Sequence, residues 1–159
     1  MIDLALYIKI DLEGVPTLIR RINGVKGKVK DLRNAWKKIG EDFRKTEEKV
    51  FNGQGAYGSR SQWTPLTPKY KEWKQSHYPG KPILQLSGNL KSSLTKKSAG
   101  HIEIITATSI TLGSNDKKFK WHQKSTNKMV ARPPITFTEY QAEKWAKIIR
   151  DDIMEGAKK

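Results

Sequence analysis

The stretch Val29-Lys30-Asp31-Leu32-Arg33-Asn34-Ala35-Trp36-Lys37-Lys38-Ile39-Gly40-Glu41-Asp42-Phe43-Arg44-Lys45-Thr46-Glu47-Glu48-Lys49-Val50 is the most regular in the chain. Val29, Leu32, Trp36, Ile39, Phe43, Thr46 and Val50 are spaced alternately three and four apart, which puts them on one face of a helix predicted from about residue 28 to 51. That face is apolar except at Thr46. The other faces carry Lys30, Asp31, Arg33, Lys37, Lys38, Glu41, Asp42, Arg44, Lys45, Glu47, Glu48 and Lys49, so the pattern is that of a core-facing helix with a solvated back. The same spacing suits a seam against another subunit, but the run is shorter than the roughly three to four heptads that mark a coiled coil.

Upstream, residues 4–12 alternate, with Leu4, Leu6, Ile8 and Ile10 on one side and Ala5, Tyr7, Lys9 and Asp11 on the other, as in a half-buried strand closed by Glu13-Gly14. Pro16 opens a short helix carrying Leu18, Ile19 and Ile22, which Asn23-Gly24 stops. Downstream, the Gly-rich residues 52–62 read as a loop. They lack the glycine spacing and Lys-Ser/Thr ending of a phosphate cradle. Thr67-Pro68 reads as a helix N-cap and first position, with Tyr70, Trp73 and Lys74 following before the stop at Pro79-Gly80. A short helix is expected from Asn89-Leu90 to Leu94. Ile102 and Ile104, then Ile110 and Leu112, alternate with polar residues around a turn at Ala107-Thr108-Ser109, predicting a hairpin with one common apolar face. Thr138 with Gln141 makes a capping box for a last helix over about 139–154, with Ala142, Trp145, Ile149 and Ile153 on one stripe and a fraying tail beyond. Two long helices and several short strands predict an α+β fold, a small antiparallel sheet with two long amphipathic helices packed on one face.

At 159 residues the chain is expected to form a single domain over 1–159, with mobile loops near 52–62 and 114–130. Thirty-one Lys+Arg against 16 Asp+Glu give a formal charge of +15, with mean hydropathy −0.70. Such charge fits nucleic acid, an acidic protein partner or plain solubility. The absence of cysteine excludes a disulfide scaffold, thiolate metal sites and a Cys nucleophile, and fits a reducing compartment. No apolar run approaches the roughly 20 residues of a spanning helix, and the first ten residues lack the charged and small-residue pattern of a secretory signal. The expectation is a soluble protein that acts where it is made or is carried in an assembly.

A catalytic site needs convergent titratable groups. His77, His101 and His122 fall on a loop, a strand edge and a short turn without metal-ligand spacing, and His122 with Asn127 lacks the second histidine of an HNH nuclease. The acids sit mostly beside lysines on the two long helices, where i, i+4 pairing accounts for them. No cofactor, metal or catalytic residue is therefore expected. The lysines are scattered, no recognition-helix or RNA-recognition pattern occurs, and most aromatics sit at core-like spacing, so a nucleic-acid-binding module is the alternative reading.

An ordered series of local signatures remains: Trp63-Thr64-Pro65-Leu66-Thr67-Pro68, Tyr70, Lys81-Pro82-Ile83-Leu84-Gln85-Leu86-Ser87-Gly88-Asn89-Leu90 with Ser93, His122-Gln123, and Ala131-Arg132-Pro133-Pro134. Over about residues 28–153 this series resembles the virion morphogenesis or tail-completion family of long-tailed bacteriophages, with its Mu-like neck and tail-terminator proteins. One departure is Lys124-Ser125, where the family often has a glycine soon after the His-Gln pair. The resemblance implies a non-enzymatic structural protein that completes the tail and joins it to the head as a ring at the neck, and it suggests six copies. Its partners would be copies of itself, tail-tube and head-connector proteins, and DNA passing through the neck. Its place would be the virion, assembled in the host cytoplasm. The residues singled out for assembly are Trp63, Pro65, Leu66, Ser87, Gly88, Leu90, His122, Gln123, Arg132 and Pro133. The residues give their own physical reading: Trp63 as a buried anchor, Gly88 as a turn into a helix, and Arg132 as a permanent cation on a stiff segment. For Arg132 and His122-Gln123, a structural hydrogen bond and an intersubunit contact are both open.

Overall fold

The computed structural model describes residues 31–156, and residues 7–11 as a backbone strand. The short helix expected from Pro16, the ends of the first predicted strand and the last three residues lie outside the described residues. The elements are β1 (Tyr7–Asp11), α1 (Arg33–Asn52), α2 (Pro68–His77), α3 (Asn89–Thr95), β2 (His101–Ile105), β3 (Ser109–Ser114), α4 (Phe119–Gln123) and α5 (Glu139–Gly156). The fold is α+β, and the strands form one antiparallel sheet in the order β1-β3-β2.

The predicted stripe of α1 makes the core. Trp36, Ile39, Phe43 and Val50 are fully buried and cluster with Leu94, Ile110, Leu112 and Ile149. α1 and α3 lie against the sheet, and α5 packs along α1. The helix begins at Arg33 because Asp31 accepts the Arg33 N–H at 3.0 Å, while the Leu32 N–H bonds to Ala107 O in the hairpin turn at 2.8 Å. The solvated back is interrupted at two acids. Asp42 accepts from Trp145 Nε1 at 2.8 Å and from Lys144, a bond that raises the Lys144 pKa and fixes α5 to α1. Glu47, expected on the outer face, is entirely buried.

The hairpin corrects the expected register. Thr106 N–H donates to Ser109 O, so the turn has two residues, Ala107 and Thr108, where three were expected. Ile105 then faces Ile110 and Glu103 faces Leu112. A one-residue change in a turn moves every side chain to the opposite face. Ile102 and Ile104 consequently stand away from the face of Ile110 and Leu112, and Ile104 is 59% exposed. Their place toward α1 is taken by Glu103, which is held by Arg44, by Lys97 at 3.0 Å and by His101 at 3.3 Å. Burial pushes its carboxyl up, but Lys97, His101 and Arg44 outweigh burial and hold the pKa below the usual range. Gly40 makes room for this carboxylate: a Cβ there would lie 2.9 Å from Glu103 Oε2.

After α1 the chain turns tightly. Gly55 N–H bonds to Val50 O and Trp63 N–H to Gln54 O, each at 2.8 Å, and Tyr57 bridges to Arg60. Gly55 has φ +101 and its Cα faces Trp63, whose backbone N would lie 2.6 Å from an added Cβ, so only glycine fits. α2 and α3 start where the sequence places them. Pro68 occupies the first turn after Thr67, whose side chain makes no capping bond, and Gly88 precedes α3 with φ +84. α5 begins with Thr138 Oγ1 accepting the Gln141 N–H at 3.3 Å, one arm of the expected box.

Candidate functional site

Two segments separated by about seventy residues close on each other. Trp63 Nε1 donates to Pro133 O at 3.0 Å. Arg132 Nε donates to Thr64 O at 2.6 Å and its Nη2 to Pro65 O at 2.8 Å. The Arg132 N–H donates to His122 O at 2.9 Å, and Gln123 grips the backbone of Ile135, donating from Nε2 at 2.6 Å and accepting the Ile135 N–H at 3.3 Å. The structure thus brings together Trp63, Pro65, His122, Gln123, Arg132 and Pro133 in one clip. Each bond has a local cause: Pro133 and Pro134 hold their segment extended, and a guanidinium offers donors in a fixed fork to two successive carbonyls. Trp63 is 5% exposed and meets Phe51 edge to face at 5.3 Å. For Arg132 and Gln123, the structural hydrogen bond is the one present.

Beside the clip lies an open cleft of about 590 Å³. Leu66, Leu84, Leu86, Leu90, Met129 and Val130 give it an apolar lining, with Ser87, Gly88, His122 and Arg132 among the other walls. Leu66, Ser87, Gly88 and Leu90 therefore join the clip residues here. Leu90 is buried at the cleft base, and Ser87 Oγ stands 3.4 Å from the Asn89 N–H. Leu84 has φ +59, a region that costs an L-residue about 1–2 kcal/mol. Its side chain packs partly against the core in exchange. Burial and the neighbouring Arg132 charge lower the His122 pKa, so the ring is neutral near pH 7. Lys74 is buried, donates to Pro82 O, and has its pKa lowered by burial.

The other histidines do not converge with His122. His77 is stacked on Trp73, and His101 bonds to Ser93 O and Glu103. Ser93 shares a 2.6 Å bond with Ser114 and belongs to the core of the α3–β3 packing. Among the described residues, no group of three or more His, Cys, Asp or Glu is placed to hold a metal ion, and no helix is long and apolar enough to cross a membrane.

Two groups escape the sequence reading. The first is a buried chain in which Arg60 donates to Glu47 Oε1 at 3.1 and 3.2 Å and to Gln141 Oε1 at 2.9 Å. Burial pushes the Glu47 pKa up to about 7 against the opposing pull of Arg60. The signal was the interruption of the apolar stripe at Thr46, beside Glu47. The second is the set of exposed aromatics. Most aromatics sit at core-like spacing, but Tyr70, Trp73 and Tyr78 stand 40–44% exposed, with Trp73 stacked on Tyr70 at 5.4 Å. The low apolar content of the rest of α2 leaves it no face to bury.

The sequence model of one family, described as the phage virion morphogenesis family, matches residues 11–151. No curated protein and no solved structure gave a match. The match spans both halves of the clip, the cleft and the helices that carry them, and the chain belongs to the phage virion morphogenesis family.

Proposed function

We propose that this chain is a non-enzymatic structural protein that completes the phage tail and joins it to the head, acting as a ring of copies at the neck. The observation that carries this reading is the use made of the family's signature residues. Trp63, Gln123 and Arg132 spend their polar groups on the backbone of their own chain, and the clip they close lies beside a largely apolar cleft that Arg132 lines, an arrangement suited to docking protein. Head-to-tail contacts that close generate such a ring. Tail-tube and head-connector proteins are its other partners, with the protein retained in the virion after assembly in the host cytoplasm. Electron microscopy of lysates from a phage lacking the gene tests the reading. Filled heads beside unattached or irregular tails are expected; normally joined particles would overturn it.

One observation favours a second reading, contact with nucleic acid. The exposed stack of Tyr70 on Trp73, with Tyr78 tilted against it, is interleaved with Lys69, Lys71 and Lys81, the combination on which single-stranded bases stack. It predicts binding of single-stranded DNA with a steep salt slope, and a weakening by about ten- to a hundredfold in Trp73→Ala with the slope kept, measured by titration of a fluorescently labelled oligonucleotide.

A further inference from the structure

We propose that the cleft receives the 137–143 corner of a second copy, head to tail. This rests on the self-assembly reading above and names the contact. The cleft is largely apolar and its charged lining is mostly cationic: Lys74, Lys118, Lys128 and Arg132 against Asp116, with Lys118 and Lys128 exposed and without an ion-pair partner among the described residues. Its occupant must bring exposed apolar side chains with uncompensated negative charge.

Few surfaces of this basic chain meet that description. The aromatics of α2 stand among Lys69, Lys71 and Lys81 with Glu72 the one acid beside them, so they would bring net like charge, and Tyr70 itself lines the cleft; Trp121 adjoins Lys128 and Met129 of the cleft itself. Met154 is exposed beside acids, but Asp151 is bound to Lys147, and Asp152 to Asn34. At the start of α5, Phe137 and Tyr140 are 47% and 65% exposed, flanked by Glu139 and Glu143. Both glutamates are exposed and lack an ion-pair partner among the described residues. In the contact Tyr140 and Phe137 cover the leucine lining, and the two glutamates meet Lys118 and Lys128.

The corner and the cleft share no residue. One copy can therefore use both at once, with different neighbours, and the contact is heterologous, propagating to a closed ring or an open filament.

The chain's lack of cysteine makes the test direct. K128C is mixed with E143C under mild oxidation by copper-phenanthroline, with K128C plus K45C as the control pair. A disulfide dimer well above the control is expected, as is a ladder from the K128C/E143C double variant. Separately, E139K/E143K is expected to weaken self-association by about ten- to a hundredfold, and mixing it with K118E/K128E to restore it. Circular dichroism checks that each variant is folded. Rings by negative stain without the cross-link would overturn this contact and leave the ring standing. Monomers at every concentration with no cross-link would overturn both. Cross-links between identical positions only would show a symmetric dimer and overturn the head-to-tail geometry, and capture of a tail protein at E143C in place of a second copy would overturn the assigned occupant.

Discussion

Glu47 has lost contact with water while one of its oxygens, Oε2, has no hydrogen-bond partner among the described residues. Burial alone would make this carboxyl hard to ionise, and Arg60 recovers only part of the difference, leaving a pKa of about 7 against the ordinary 4.5. The folded chain therefore holds a proton at Glu47 that the unfolded chain releases. Its effect on stability vanishes below pH 4.5, where both states are protonated, and grows unfavourable as pH rises to 7, by about 3 kcal/mol. Glu47→Gln keeps the acceptor for Arg60 without the charge. Urea denaturation across this window should show the variant gaining on the parent as pH rises; a constant difference would contradict the assignment. Arg132 differs in that its charge is buried against carbonyls. Losing its charge-assisted bonds to Thr64 and Pro65 through Arg132→Ala should lower unfolding stability by about 3 kcal/mol. Arg132→Lys should recover only part of that, because an ammonium does not reproduce the two-donor fork.

At the scale of elements, the meeting of α1 with β2 is controlled by Gly40 and Glu103. Gly40→Ala favours the helix by about 1 kcal/mol, but it drives a methyl into a carboxylate that Arg44, Lys97 and His101 hold in place. It should therefore destabilise the parent and stabilise a Glu103→Ala background, a sign change that a double-mutant cycle by thermal or urea unfolding detects. Neither residue announces this role in the sequence. Periodicity located α1, α3, α5 and the hairpin, because helix and strand spacing is local and the stripe of Trp36, Ile39 and Phe43 repeats strongly. It could not count the hairpin turn: Ala107-Thr108-Ser109 and Ala107-Thr108 are equally plausible loops, and the difference decides whether Ile104 or Glu103 faces α1. For the site, the same limit applies to distance. The ordered signatures pointed to Trp63, Gln123 and Arg132, but their bonds run to backbone atoms about 12 to 70 residues away, which leave no mark in composition. Tyr70 and Trp73 are exposed all the same, because an aromatic at helical spacing looks alike whether or not a second layer exists to cover it.

For the whole molecule, a charge of +15 is a standing self-repulsion in the compact state. The structure opposes it with a few cross-element pairs such as Asp42 with Lys144 and Glu103 with Arg44. Raising sodium chloride from about 0.02 to 0.2 M shortens the reach of the repulsion from about 20 Å to about 7 Å and should raise the melting temperature; a fall would mean that the specific pairs outweigh the background. The clip carries a different kind of consequence. Trp63 finds its acceptor in Pro133, seventy positions later. A ribosome adding roughly 5–20 residues per second takes about 4–14 s to cover that interval. During synthesis the indole and the Gly55 turn that cradles it are complete well before the segment that locks them has left the tunnel. The nascent chain spends those seconds with the Trp63 indole unsealed, and this is the period in which a chaperone has the most to protect.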